Sequence, residues 1–271
     1  MLRDITIGQY IAGDSPIHKM DARVKILAAL LFIILLFVIQ GVAEYAVITL
    51  FLGLLIKLSK VPFKFMISGL KPILYILIFT VALNVLMTPG TELFSLDLKL
   101  FTLRVTIEGL KMGIYMMVRL IYLVLGTSLL TLTTSPLMLT DGIEKLLKPF
   151  EIIKVPAHEI AMMMTIAIRF VPTIAEEADK IMKAQTARGA DFETGSIIRR
   201  AKAMIPLLVP LFVSSFRRAD DLAVAMDARC YHGGKNRTRM KVMKLGKYDL
   251  VAGVVLLLLV AILVALRIAF K

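Results

Sequence analysis

YDLVAGVVLLLLVAILVALRIAF, Tyr248 to Phe270, carries charge only near its ends, at Asp249 and Arg267, around an uninterrupted Val/Leu/Ile/Ala core. A helix needs roughly 20 mostly apolar residues to cross the hydrocarbon of a bilayer. The stretch therefore reads as a membrane span, and it makes every other long apolar run a candidate for another. Four such runs lie upstream. Ile26 to Ile39 is unbroken and Val42 to Ile56 nearly so, giving a helical hairpin that turns at Gln40-Gly41, and Pro72 to Met87 and Gly109 to Leu132 give two more. A cleavable signal at the first run, hinted at by Gly41-Val42-Ala43, is set aside because a long polar leader with Asp4, Asp14 and Asp21 precedes it.

The whole chain agrees with that reading. Of its 271 residues 58% are hydrophobic and 20% charged, and the mean hydropathy is +0.82, too apolar for a soluble globular protein of this length. A lone cysteine, Cys230, excludes an intrachain disulfide, and one cysteine with three histidines makes a poor zinc cage. The expected fold is all-α and polytopic, with about five transmembrane helices.

Loop charges choose the orientation. Arg3, Lys19, Arg23 and Lys25 precede the first span, and Lys57, Lys60, Lys64 and Lys71 lie between the second and third. The turn from Gln40 to Tyr45 has no basic residue, and the loop from Thr88 to Glu108 sets only Lys99 and Arg104 beside Glu92, Asp97 and Glu108. Lys and Arg collect on the cytoplasmic side, so the amino terminus is expected there. By the same rule Thr133 to Lys247 is cytoplasmic, holding 19 of the 33 basic residues against 12 acidic ones. Three segments follow: 1–132 with four spans, 133–247 as a cytoplasmic helical domain, and 248–271 as the last span. Within the spans Asn84 and Arg119, with Lys111 near an edge, are the polar residues to watch, and Gly109 and Gly113 have the spacing of a close helix contact.

In the cytoplasmic segment Ser135-Pro136 opens a helix with a capping hydroxyl and a first-turn proline. Leu139, Ile143, Leu146, Leu147 and Phe150 keep a helical period. Two longer helices are expected from Pro156 to Arg188, closed by Gly189, and from Ser196 to about Arg229, with kinks at Pro172, Pro206 and Pro210. Their first halves are apolar but short for a span; their second halves repeat. At an offset of 41 residues, Ala178-Asp179 matches Ala219-Asp220, Ala184 matches Ala225, and Ala187-Arg188 matches Ala228-Arg229. Ala178, Ala184, Ala219 and Ala225 read as a packing seam between crossed helices whose arginines sit at the free tips. Two equivalent basic tips suit a partner with two equivalent grooves, that is, a dimer.

AIRFVPTIAEEADKIMKAQTARGADF, Ala167 to Phe192, resembles the first signature of the transmembrane T component of energy-coupling factor (ECF) transporters, a family marked by a pair of Ala-Arg-Gly motifs. AMDARCYHGG, Ala225 to Gly234, resembles the second, and GQYIAGDSPIHKMDARVKI, Gly8 to Ile26, the family's leader. The second motif departs from the pattern at Cys230, where glycine is usual, so Gly233 or Gly234 is expected to end that helix instead. The resemblance implies a subunit of a prokaryotic cytoplasmic-membrane complex that links two ABC-type ATPases to a membrane-embedded S component, which captures a vitamin or metal ion. It implies ATPase contacts by Ala187, Arg188, Gly189, Ala228, Arg229 and Cys230. ATP would be bound by the partners; the chain has no Walker A pattern, is expected to be no enzyme, and needs no cofactor or metal of its own. Met162, Met163 and Met164 with Leu207, Leu208, Leu211 and Phe212 are expected to meet the S component, methionine being able to repack against dissimilar partners; core packing is the competing use.

Other readings carry less. His158-Glu159 lacks the second histidine of a zinc-protease helix, Cys230 with His232 is a thin metal site, and Asn236-Arg237-Thr238 is a glycosylation pattern on the wrong side. The basic run Lys235 to Lys247 suits anionic lipid rather than nucleic acid. The alternative from another class is a self-contained transporter or membrane enzyme working through Arg119 and Asn84. The topology has a direct check. Single cysteines placed in a Cys230-free background are expected to react with an impermeant reagent from outside at Thr91 or Ser95, and only from inside at Thr194 or Lys235; outside labelling at Thr194 would overturn the charge reading.

Overall fold

The computed structural model describes residues 10–98, 101–192, 194–234 and 245–269. Arg3, Asp4, Lys99, Asn236-Arg237-Thr238 and most of the basic run up to Lys247 lie outside the described residues. The helices are α1 (Ala22–Val38), α2 (Val42–Ser59), α3 (Phe63–Leu70), α4 (Leu74–Met87), α5 (Ile107–Thr133), α6 (Pro136–Leu147), α7 (Ala157–Ala187), α8 (Ile197–Asp227) and α9 (Lys247–Ala269). The described residues fall into two compact units, residues 10–142 with 245–269, and residues 143–234.

Five helical stretches are long and apolar enough to cross a membrane: α2, the 25-residue run Phe63–Met87 formed by α3 and α4, α5, α7 and α9. The first expected span is α1, whose 17 residues stand at the lower limit for a crossing. α7 joins the set by length and through its apolar first half, in which Arg169 is the one charge between Ile160 and Val171. The fold is that of an all-α polytopic membrane protein.

One element departs from the expected helices and loops. The stretch expected as a plain loop holds an antiparallel hairpin, β1 (Glu92–Leu98) and β2 (Phe101–Thr106), paired from Glu92 opposite Thr106 to Leu98 opposite Phe101, with a bulge near its start. Its signal was present in the sequence. Phe94, Leu96 and Leu98 alternate with Ser95 and Asp97, and Phe101, Leu103 and Val105 with Thr102 and Arg104, the period of a strand.

In the first unit the core gathers Phe32, Leu36, Ile48, Leu52, Leu125, Leu129, Leu259 and Leu263, drawn from α1, α2, α5 and α9. At one end of this bundle lies a buried polar cluster. Asp21 caps α1 by accepting from the Arg23 N–H at 2.9 Å, and hydrogen bonding from the Arg23 side chain holds the Asp21 carboxyl below the usual carboxylate range. The Asp21 N–H donates to Asp249 Oδ1 at 2.8 Å, tying α1 to the start of α9. Lys25, counted from sequence as a loop charge, is 5% exposed. Its ammonium donates to the carbonyl of Thr133 at 3.0 Å, the hydroxyl of Thr134 at 3.2 Å and the carbonyl of His18 at 3.4 Å. The leader folds onto this cluster, with Ser15 Oγ 2.7 Å from His18 Nδ1 and the Ile11 N–H on the Leu132 carbonyl at 2.9 Å.

The polar residues within the spans have structural employment. The Asn84 amide donates to the Thr80 carbonyl one turn back in α4 at 2.8 Å. Arg119 donates to the carbonyl of Ile39, just past α1, at 3.1 Å, and its guanidinium lies 5.7 Å from the Phe37 ring centroid. Among the described residues neither side chain is hydrogen-bonded to another ionisable group.

α4 and α5 approach closely where the glycines allow it. A Cβ on Gly109 would sit 2.8 Å from the Asn84 carbonyl oxygen and 3.0 Å from that of Val85, and one on Gly113 would sit 3.4 Å from a methyl of Val81. Gly109→Leu is therefore expected to force the helices apart and cost about 1 to 3 kcal/mol, whereas Gly53→Leu, where a Cβ meets nothing within 4 Å, should cost little. Thermal unfolding of the two variants in detergent checks this, and equal midpoints would refute the close-contact account.

Candidate functional site at two helix ends

Both long helices end in the same way, and the sequence repeat explains why. At the end of α7 the Gly189 N–H donates to the Thr186 carbonyl at 3.0 Å and the Ala190 N–H to the Gln185 carbonyl at 3.0 Å. At the end of α8 the Cys230 N–H donates to the Asp227 carbonyl at 2.8 Å and the Tyr231 N–H to the Met226 carbonyl at 3.0 Å. Each acceptor and donor of the first set lies 41 residues before its counterpart. Gly189 and Cys230 are left-handed, with φ of 88° and 54°, and together these bonds form a Schellman cap at each end. The expectation that Gly233 or Gly234 replaces the missing glycine is thereby corrected. Cys230 itself adopts the left-handed conformation, at a cost of roughly 1 to 2 kcal/mol for a residue with a Cβ.

The main-chain bonds leave the arginine side chains unused. Arg188 and Arg229 each precede the left-handed residue, both are exposed, and neither guanidinium has a hydrogen-bond partner among the described residues. Ala187, Gly189, Ala228 and Cys230 around them are exposed as well.

What joins α7 to α8 differs from the expected seam. The Glu177 carboxylate accepts from Arg218 Nη2 at 2.8 Å and from the Ser214 hydroxyl. Beside this contact a groove of about 270 Å³ is lined by Ile166, Phe170 and Ile174 of α7 and by Leu222, Ala223 and Met226 of α8. Ala219 borders that groove and Ala178 is half-buried, but Ala184 and Ala225 are exposed. Bulky apolar side chains and one ion pair set the crossing, and those two alanines face away from it. Glu177 and Arg218 are themselves 41 residues apart, so equivalent positions of the repeat meet. Each arginine then lies 11 residues beyond its crossing residue, about 17 Å along its helix. A match of like residues at the repeat offset does not reveal this pair, because its members are opposite in charge.

The apolar surface expected to meet the S component divides. Met163, Leu208 and Phe212 are exposed, Met162, Met164 and Leu211 are half-buried, and Leu207 is buried. The exposed members on α8 continue a strip formed by Ile205, Val209, Val213 and Phe216.

Comparison with known proteins bears on this arrangement. A family model described as cobalt transport protein, CbiQ, matches residues 13–240. The energy-coupling factor transporter transmembrane protein EcfT of Clostridium kluyveri is 55% identical over 99% of this chain and 98% of its own length. The protein of the same name from Thermosediminibacter oceani is 54% identical over 93% of each chain, and that from Bacillus subtilis 46% identical over 98% of this chain and 100% of its own. The chain belongs to this family. It is the transmembrane energy-coupling T component of an ECF transporter, one part of a complex with other components.

In the T component the residue that must turn left-handed is glycine in one cap and cysteine in the other, which gives a test of the geometry. Cys230→Gly is expected to stabilise the α8 end by about 1 kcal/mol, while Gly189→Val should destabilise the α7 end by at least as much. Hydrogen exchange at the last turn of each helix reads both effects. Slower exchange after Gly189→Val would be incompatible with the left-handed cap.

Proposed function

We propose that this T component links ATP hydrolysis by a pair of ABC-type ATPases to uptake of a vitamin or metal ion through a membrane-embedded S component. One ATPase seats Arg188 and the other Arg229, with Ala187, Gly189, Ala228 and Cys230 lining the same contacts. The observation that carries this reading is the pair of exposed guanidiniums, without a hydrogen-bond partner among the described residues, on two helix ends closed by the same main-chain bonds. A basic side chain near a helix C-terminus often serves its own helix dipole, but here the main chain closes each end by itself. A planar fork held in the open is suited to engaging two acceptors on another protein. ATP belongs to the partners, and the chain itself is neither enzyme nor cofactor carrier.

In the same reading α7 and α8 lie on the cytoplasmic side of a prokaryotic membrane, as does the amino terminus. The ATPases approach each other when ATP binds, the tips move with them, and the crossed helices carry that displacement to the S component. The exposed strip of Leu208, Phe212 and their neighbours, with Met163, is the surface offered to it. Pairing of Glu177 with Arg218 at the crossing keeps the two arms in register.

Arg188→Ala and Arg229→Ala are each expected to lower ATP-driven uptake, since a hydrogen bond to a charged partner is worth roughly 1.5 to 3 kcal/mol. The double substitution should abolish uptake and release the ATPases during purification. Arg→Lys should restore only part, because lysine keeps the charge without the fork. Uptake of tritiated riboflavin through a co-expressed riboflavin-binding S component, and ATPase pull-down from the same membranes, measure both. A double variant that behaves as wild type in both assays would sink the two-tip mechanism.

A further inference from the structure

The elbow where α5 turns into α6 is held from both sides by the first turn of α1. Thr133 ends α5 and Thr134 follows it in an extended conformation, with φ −131° and ψ 123°. Ser135 then opens α6, its hydroxyl accepting from the Met138 N–H at 3.3 Å. Thr133 and Thr134 are each 1% exposed, and the Lys25 ammonium reaches both. Its third proton goes to His18 of the leader, so every donor of that buried cation is directed at the main chain or hydroxyls around the corner. On the far side of the corner α6 packs directly on α1. A Cβ on Gly142 would lie 3.0 Å from the Cβ of Ala22 and 3.1 Å from Cδ1 of Ile26. Asp21, at the head of the same turn, is fixed in addition to Asp249.

A buried ammonium is costly unless fully hydrogen-bonded, and placing one where an apolar residue would fill the space implies that its directional bonds are needed. Those bonds converge on a corner that precedes α6, α7 and α8 along the chain. We infer that Lys25 is a positioning residue for coupling, whose ammonium makes the α5–α6 elbow rigid so that α6 moves as one piece with α1 instead of bending at Thr134. This rests on the coupling reading above. A displacement delivered through α6 reaches the membrane helices undiminished only if the elbow does not give; with Lys25 removed, the elbow flexes and hydrolysis proceeds without proportionate transport.

The test uses the assembled complex in proteoliposomes, with tritiated riboflavin as the probe and uptake divided by ATP hydrolysed as the readout. Lys25→Met is expected to keep ATPase pull-down while lowering uptake per ATP at least tenfold, and Thr134→Val, which removes one of three acceptors, to lower it two- to threefold. A disulfide between Ala22→Cys and Gly142→Cys needs Cβ atoms about 3.5 to 4.5 Å apart, within half an ångström or so of the present geometry. Oxidised in the otherwise native chain, it should leave uptake per ATP at the wild-type level. Formed together with Lys25→Met, it should restore at least a third of what that substitution loses. A merely structural lysine would give parallel losses of uptake and hydrolysis with no rescue by the disulfide, and that overturns the proposal. So does an unchanged ratio in Lys25→Met, or a disulfide that blocks uptake, since the elbow would then have to bend. Should Lys25→Met fail to accumulate, Thr134→Val and the disulfide decide the matter by the same criteria. Failure of the coupling reading itself looks different: the wild-type chain would then retain no ATPases at all.

Discussion

A helix leaves its last carbonyls without partners inside itself, and within a bilayer there is no water to receive them. Much of this T component is organised around that constraint. The end of α1 is served from two other helices, by Arg267 of α9 on the Val38 carbonyl at 3.3 Å and by Arg119 of α5 on the Ile39 carbonyl at 3.1 Å. The end of α5 is served by the Lys25 ammonium at Thr133 and by the leader's Ile11 N–H at Leu132. Cations that stand out in an apolar sequence thus sit where carbonyls are orphaned. Their charge is matched to the negative end of the helix they serve, and by serving it they fasten α1, α5 and α9 to one another.

That arrangement also explains which parts of the fold were legible in the sequence. Spans announce themselves by composition, and the long helices by Ser196, Gly189 and the 41-residue repeat. α7 and α8 begin and end within two residues of where those signals put them. The hairpin is legible too, in its alternation, although its charges Glu92, Asp97 and Arg104 equally suit a polar loop. Lys25 was not legible. Its position before an apolar run is what a loop charge looks like, and Thr133 and Thr134 are more than a hundred residues away in sequence. Nothing local distinguishes a lysine that holds a distant corner from one that rests in water.

At the candidate site the division is similar. The arginines and their neighbours could be found because the repeat acts on a local motif, a helix end closed within six residues. Ala184 and Ala225 are exposed, because small residues at helical spacing permit a close approach without requiring one. Which face of a helix is covered depends on its partner, and here Ile166, Phe170 and Ile174 supply the bulk. Glu177 and Arg218 obey the same repeat, yet as opposites they escape any search for likeness.

The two kinds of helix end divide the labour of the molecule. The ends of α1 and α5 borrow donors from other elements, so the cations that serve them are consumed in holding helices together. α7 and α8 close their ends with their own main chain, even where that forces a cysteine into the left-handed region, and this frees the guanidiniums of Arg188 and Arg229. Because Glu177 and Arg218 occupy equivalent positions, each arm from crossing to tip has the same count of residues. Equal arms on a common pivot suit the proposed coupling, in which two like partners would act on one lever without either prevailing.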